Sequence, residues 1–232
     1  MEISIIIPAK NLENYISKAL DSIAMQIYDK TRFEVLIVCD SCTDNTKGVV
    51  ESWANNNPDI KTRVFCVQHG NQGMARNVGL DNAVGKYIYF MDGDDWLIAD
   101  NALSDMHQAI QGFSALQIIE HETPNPIMDK IGPPLWKHMF ARELVGDTRM
   151  RDVPFNEDYI FIFGLKTKSG YSETTLQGPY YFYNSPREGS IVATTFSSHM
   201  DKIVASRKRA LLKLLDWQGD FDSLKVAVQN LN

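Results

Sequence analysis

Three aspartates, Asp92, Asp94 and Asp95, fall within four residues of the stretch YIYFMDGDDW (87–96), directly behind an apolar run. Carboxylates crowded at the end of a buried strand repel one another, so something must hold them there. Hard oxygen donors on a rigid strand end suit Mg²⁺ or Mn²⁺, which bind through one or two carboxylates and complete their shell with water and substrate phosphate. A diphosphate is the natural guest of such an ion. The plainer alternative is a solvated acidic turn hinged on Gly93, and D-G-D-D by itself leaves both open.

Other chemistries find less support. Cys39 and Cys42 form a C-x-x-C, but no second pair accompanies it, and Cys39 reads as a buried strand residue. The five histidines (His69, His107, His121, His138 and His199) lack metal-ligand spacing, and no G-x-S-x-G marks a serine hydrolase. A net charge of −6 argues against a nucleic-acid partner. The odd count of three cysteines points to a reducing compartment, hence a cytoplasmic protein. MEISIIIPA lacks a basic leader, and no segment reaches the ~20 apolar residues of a membrane-spanning helix, so the N-terminus reads as a strand.

The elements that must position the acids follow from periodicity. Residues 3–7 are a β-branched run closed by Pro8, a strand buried on both faces. Behind Asn11 as N-cap, apolar residues recur at Leu12, Tyr15, Ile16, Ala19, Leu20, Ile23, Ala24 and Ile27, the stripe of a helix. FEVLIVC (33–39) is a second strand, and a helix capped by Thr43 or Asp44 runs through Trp53. RVFCV (63–67) is a third strand, residues 72–83 a third helix, and KYIYFM (86–91) a fourth strand. This alternation predicts an α/β protein: a Rossmann-like, mostly parallel sheet with helices on both faces. Ligands of such sheets bind outside the carboxyl ends of the strands, where Pro8 to Asn11, Asp40 to Asp44 and Asp92 to Asp95 all fall.

A boundary near residue 96 separates this half (1–95) from a smaller, less regular one (96–196), in which residues 100–110 read as helix and ALQIIEH (115–121) as strand. Residues 197–232 read as a C-terminal amphipathic helix. Its Arg207, Lys208, Arg209 and Lys213 are either a solvated face or a peripheral contact with an anionic membrane.

Five stretches, ISIIIPAKNLENYISKALDSI (3–23), VLIVCDSCTDNT (35–46), GNQGMARNVGLDNAVGKYIYFMDGDDW (70–96), PFNEDYIF (154–161) and YYFYNSPREGSI (180–191), together resemble the family 2 glycosyltransferases of GT-A fold that build bacterial polysaccharides. The resemblance implies inverting transfer of a sugar from a nucleotide diphosphosugar, uridine-linked, to a hydroxyl of a glycan or lipid-linked saccharide, with Mn²⁺ or Mg²⁺. It implies that Asp40 hydrogen-bonds the nucleotide base, with Pro8, Ala9 and Glu13 bordering that pocket. By the same resemblance Arg76 lies near the donor's phosphates and ribose, and Asp92, Gly93 and Asp94 are the D-x-D motif, Asp94 and Asp92 holding the cation. Asp158 of NED takes the place of the catalytic base. Cys39 stands where the family commonly has aspartate, and Asp40, Ser41, Cys42 replace its D-G-S.

Elementary chemistry leaves each role a plainer rival. Asp40 can accept from an imide N–H such as uracil N3, or it can cap the next helix. Arg76 can be a solvated helix charge. Asp95 either supports the ion's ligands or caps a following helix. Glu157 and Asp158 are adjacent, so on a regular element only one should face the crevice, and either can serve as an N-terminal helix acid. A nucleotide-sugar-binding module without transfer is the alternative function. A sugar nucleotidyltransferase fits less well, because PAKNLEN (8–14) is not a glycine-rich basic loop.

Overall fold

The computed structural model describes residues 1–122, 134–153 and 157–184. The helix expected over 197–232 and the part of YYFYNSPREGSI beyond Asn184 lie outside the described residues. The first half alternates as the periodicity predicts: β1 (Ile3–Ala9), α1 (Ile16–Ala24), β2 (Phe33–Asp40), α2 (Thr46–Asn56), β3 (Lys61–Val67), α3 (Gln72–Asn82) and β4 (Tyr87–Phe90). There follow β5 (Trp96–Leu97), α4 (Ala102–Ala109), β6 (Ala115–Ile118), β7 (His138–Ala141), α5 (Arg142–Val145), α6 (Glu157–Lys166), β8 (Glu173–Leu176) and β9 (Tyr181–Phe182).

The described strands form a seven-stranded sheet in the order β3-β2-β1-β4-β7-β6-β8 and a two-stranded ribbon of β5 and β9. Pairs β1–β2, β2–β3, β1–β4 and β6–β8 are parallel, whereas β7 runs antiparallel to both β4 and β6. The large sheet therefore crosses the boundary at residue 96 without a break. The chain leaves β1 toward β2 and β3, then returns to place β4 on the opposite side of β1. Such a reversal opens a crevice at the carboxyl ends of the strands.

Alternation along the central strands feeds two cores. Ile3, Ile5, Ile7, Val35 and Ile37 face Ile16, Leu20 and Ile23 of α1, Trp53 of α2 and Met106 of α4. Ile6, Leu36, Ile88 and Phe90 face Leu80 of α3, Val145 of α5 and Phe161 and Leu165 of α6. Helices thus cover both faces, and each fully buried aliphatic side chain contributes about 2 kcal/mol. Gly79 lets α3 lie directly on β1, since a Cβ there would collide with Ile6 Cγ2.

Four local expectations are corrected. Pro8 lies inside β1 rather than after it. Glu2 and Ile6 give their carbonyls to the N–H of Tyr87 and Met91, at 2.8 and 3.1 Å, so Pro8 turns its nitrogen to the same side, past the end of β4, where no ladder donor is required. Asn11 does not cap α1. It adopts φ 53°, its Oδ1 accepts from the Thr43 N–H at 2.8 Å, and α1 is entered through a turn on the Leu12 carbonyl. The stripe also ends at Ala24, leaving Ile27 exposed with its N–H on the Asp100 carbonyl. Finally, α2 continues past Trp53 to Asn56, because the Asn57 side chain donates to the Trp53 carbonyl at 2.9 Å and satisfies the helix end before Pro58.

Candidate active site

The acids of D-G-D-D follow β4, and α3 runs beside them. Arg76, on the buried face of α3 with 3% of its surface exposed, donates from Nη2 to Asp92 Oδ1 at 2.7 Å and from Nη1 to Glu157 Oε1 at 2.9 Å. Gln72, one turn earlier on α3, lies against the same guanidinium and Asp92. Burial opposes the charge of Arg76, yet Asp92, Glu157 and Asp158 outweigh it and hold the guanidinium above its usual pKa. The solvated-charge reading of Arg76 is therefore excluded. Of the three carboxylates of the turn it pairs with Asp92.

Glu157 and Asp158 open α6, and both bear on Arg76. Glu157 forms the direct ion pair and packs its side chain against α3 at Gly73, where a Cβ would stand 2.8 Å from Glu157 Cγ. Burial pushes the Glu157 carboxyl up, Arg76 opposes that, and the Asp158 charge adds to it. Asp158 contributes through its charge, and its Oδ1 accepts from the Tyr159 N–H at 2.7 Å. The sequence offers Glu157 only as the neighbour of Asp158 and a candidate helix-end acid. No local signal pairs it with Arg76, whose burial only the packing of α3 reveals.

Within the acidic turn each residue is placed differently. Gly93 lies under α1, and a Cβ there would stand 2.8 Å from both Leu12 Cδ1 and Ile16 Cδ1. Asp92 and Asp94 are partly exposed. Asp95 is buried, with 1% of its surface exposed, and accepts from the Tyr181 hydroxyl at 2.7 Å and the Asn184 N–H at 2.8 Å. Burial, and then the charges of Asp94 and Asp92, push its carboxyl well above the usual range despite those hydrogen bonds. A strand, β5, follows Asp95, so it supports the turn and caps no helix.

The ends of β1 and β2 carry the second group. Asp40 is buried and accepts from the N–H groups of His69 and Gly70 on Oδ1, at 2.7 and 2.9 Å, and of Asn71 on Oδ2 at 3.0 Å. Burial opposes its ionisation, but the Gly70 N–H, the Ser41 hydroxyl and the other two amides outweigh it and hold the carboxyl below the usual value. Asp40 thereby fixes the loop before α3, whose N-cap, Asn71, accepts from Gly73 and Met74. It does not cap α2. The expected cap of α2, Thr43 or Asp44, is corrected too: the N-cap position is Asn45, whose side chain makes no cap bond, and Asp44, one residue earlier, takes the Thr46 N–H at 3.0 Å. Glu13 Oε2 accepts from the Asn45 N–H at 2.8 Å while the Glu13 N–H reaches Asp44 Oδ2 at 3.0 Å, tying the two loops together. Pro8 and Ala9 are buried, and the Ala9 carbonyl accepts from Cys42 Sγ at 3.4 Å. Asn11 and Ser41, both non-glycine, hold φ of 53° and 54° at these two strand ends. Such strain persists only where the surroundings over-determine it, and it gathers at functional sites. Burial pushes the Cys39 thiol up to about 12, which removes it from redox chemistry.

Could this turn hold a divalent ion? Among the described residues no group of three or more His, Cys, Asp or Glu side chains is arranged for a metal. Mg²⁺ and Mn²⁺ do not require one, since one or two carboxylates suffice when a substrate diphosphate supplies further oxygens. Asp94 and the Asp92 oxygen not engaged by Arg76 form such an oxygen-only set at a partly exposed turn. The residues fit the ion.

The mostly parallel sheet, with an acidic turn beyond its switch point, is the GT-A fold of the glycosyltransferase structures it superposes on. The family model for "Glycosyl transferase family 2" matches residues 4–163, and the chain belongs to that family. Over 97 residues, 42% of the chain, it is 39% identical to the poly(ribitol-phosphate) beta-N-acetylglucosaminyltransferase TarS of Staphylococcus aureus, of which this covers 17%. It is 36% identical over 101 residues to the glycosyltransferase GlyA of Streptococcus pneumoniae, covering 43% of the chain and 14% of that protein. The chain thus spans under a fifth of the length of these curated relatives. The structure of S. aureus TarS 1–349 in complex with UDP-GlcNAc superposes with a TM-score of 0.73 at 25% identity, covering 93% of this chain and 67% of that one. The mannosyltransferase PcManGT from Pyrobaculum calidifontis, at 21% identity and a TM-score of 0.71 over 81% of this chain and 58% of that one, shares the fold.

Proposed function

We propose that this chain is the transferring unit of a divalent-metal-dependent, inverting glycosyltransferase that uses a UDP-sugar and a hydroxyl of a glycan or lipid-linked saccharide. The observation that carries the reading is the Arg76 guanidinium, buried between Asp92 of the D-G-D-D turn and Glu157 at the head of α6. One bridge joins the donor turn to the element bearing Asp158. Family membership supports sugar transfer, and the likeness to TarS, solved with UDP-GlcNAc, supports a uridine donor. Peripheral contact of the basic 207–213 stretch with an anionic membrane belongs to the same reading.

In this reading Asp94 and Asp92 hold the cation, which when bound neutralises charge gathering on the departing diphosphate. Arg76 keeps Asp92 in place and balances the acids before the donor arrives. Pro8, Ala9, Glu13 and Asp40 form the wall at the nucleoside end, with Asp40 acting through the 69–71 loop it holds and through its Oδ2. Glu157 is committed to Arg76, so Asp158 is the acid assigned to take the acceptor's proton as that oxygen attacks the anomeric carbon. A single displacement inverts the configuration there.

The test is UDP release from a panel of UDP-sugars with Mn²⁺, followed by transfer to saccharide acceptors and determination of the product anomer. Slow metal-dependent UDP release is expected from one donor of the panel. Tight donor binding without release or transfer would make the chain a nucleotide-sugar-binding module instead.

A further inference from the structure

We infer that Tyr181 and Asp95 form a latch by which the segment 181–184 of the second half positions the Asp92–Asp94 turn, so that both are positioning residues for a cation bound there. The inference rests on the donor-site reading above.

Tyr181 is fully buried, and its hydroxyl does two things at once: it accepts the Asp92 N–H at 3.2 Å and donates to Asp95 Oδ2 at 2.7 Å. Asp95 in turn takes the Asn184 N–H on Oδ1 at 2.8 Å, and its own N–H closes the turn on the Asp92 carbonyl at 3.2 Å. Both ends of the turn are therefore set by one phenol. Antiparallel pairing of Trp96 with Phe182 and of Leu97 with Tyr181 carries the same segment alongside the chain leaving the turn.

The other side of the segment is anchored in the second half. The Tyr181 carbonyl accepts from Glu122, the Tyr183 N–H donates to the Glu122 carbonyl, and the Trp136 ring stacks on Tyr181 at 4.4 Å and 5°. A phenylalanine would satisfy that stack and the backbone pairs equally well. The hydroxyl is what ties the stack to Asp92 and Asp95. Asp92 and Asp94 can present oxygens to a small octahedral ion only within narrow geometry, because Mg²⁺ and Mn²⁺ tolerate little displacement of their ligands. A turn held at both ends meets that demand, and a turn released at its Asp92 amide does not.

The test compares the wild-type chain with Tyr181→Phe and Asp95→Asn by calorimetric titration of UDP, with Mn²⁺ and in EDTA, alongside thermal melting. Asp95→Asn keeps volume and an acceptor for Tyr181 while removing one carboxylate oxygen, so it carries the test should Tyr181→Phe fold poorly. Expected is a loss of about tenfold in UDP affinity with Mn²⁺ and no change in EDTA. Wild-type affinity with Mn²⁺ in both variants overturns the latch while leaving the donor site intact. Equal losses with and without Mn²⁺ also overturn it, since general loosening would do the same. If wild-type protein binds UDP without regard to Mn²⁺, the donor-site reading fails and the latch falls with it.

Discussion

Glu157 Oε1 lies 2.9 Å from Arg76 Nη1, which joins the first turn of α6 to α3 across a sequence separation of 81 residues. Both side chains are largely removed from water, at 13% and 4% exposure, so the pair is not a surface ion pair of negligible worth. Breaking such a pair from one side leaves a buried charge only half compensated. Removing a partner from a buried pair costs about 3–5 kcal/mol, and a substitution that keeps an acceptor costs less.

Glu157→Gln is therefore expected to lower stability by about 1–2 kcal/mol in urea unfolding, and Glu157→Ala by about 3 kcal/mol. With Glu157 neutral, Arg76 depends more on Asp92, whose Oδ1 it already holds at 2.7 Å. Donor affinity with Mn²⁺ should fall in Glu157→Gln even where the protein remains folded. Unchanged stability and unchanged donor affinity would remove Glu157 from the site.

Asp40 supplies a pH-dependent prediction. Its folded pKa lies below the usual value of 3.8, so its contribution is present above the unfolded pKa and is lost as pH falls through the folded one. Asp40→Asn turns an amide toward three backbone N–H groups that only a carboxylate can fully receive. It should cost about 2–3 kcal/mol at neutral pH and progressively less below pH 4. Urea midpoints of wild type and variant, measured from neutral pH into acid, should converge. A constant difference across that range would sink the assignment.

How much of this was legible beforehand depended on whether one element or two were needed to see it. The strands β1 to β4 and helices α1 to α3 follow from β-branched runs and a 3.6-residue stripe, both local properties. The acids Asp92 and Asp94 stand out because like charges in sequence are like charges in space. In sequence Arg76 stands out only as a motif residue. Its burial arises from packing α3 against β1 and β2, and its second partner comes from α6, more than 80 positions away. Asp95 stayed open for the same reason, since Tyr181 decides its role from 86 positions further on. Asn11 reads as a cap in sequence because a left-handed asparagine bonded to another loop looks, in one dimension, like any asparagine before a helix.

Asp94→Asn tests the cation. Asp94 is partly exposed in the turn, and an amide is a weaker, uncharged ligand for a hard ion. UDP affinity with Mn²⁺ should fall at least tenfold, with affinity in EDTA and melting temperature unchanged. If Asp94→Asn binds UDP with wild-type affinity and wild-type metal dependence, the ion is held elsewhere.

The sharpest expectation concerns the second acid of α6. Glu157 and Asp158 share the first turn, where any acid gains from the positive end of the helix. That gain is a rival account of Asp158, because its Oδ1 accepts a first-turn N–H at 2.7 Å. The two accounts separate on one substitution. Asp158→Asn keeps the shape and can still accept that N–H, so a helix-end role predicts near-normal transfer. A general base predicts otherwise, since an amide cannot take the acceptor's proton: kcat should fall by ~10²- to 10⁴-fold while donor affinity stays near wild type. Measured with an identified acceptor, full transfer by Asp158→Asn would end its role as base. A product that retained the donor's anomeric configuration would end the single displacement as well, because inversion follows from direct attack by the oxygen that Asp158 deprotonates.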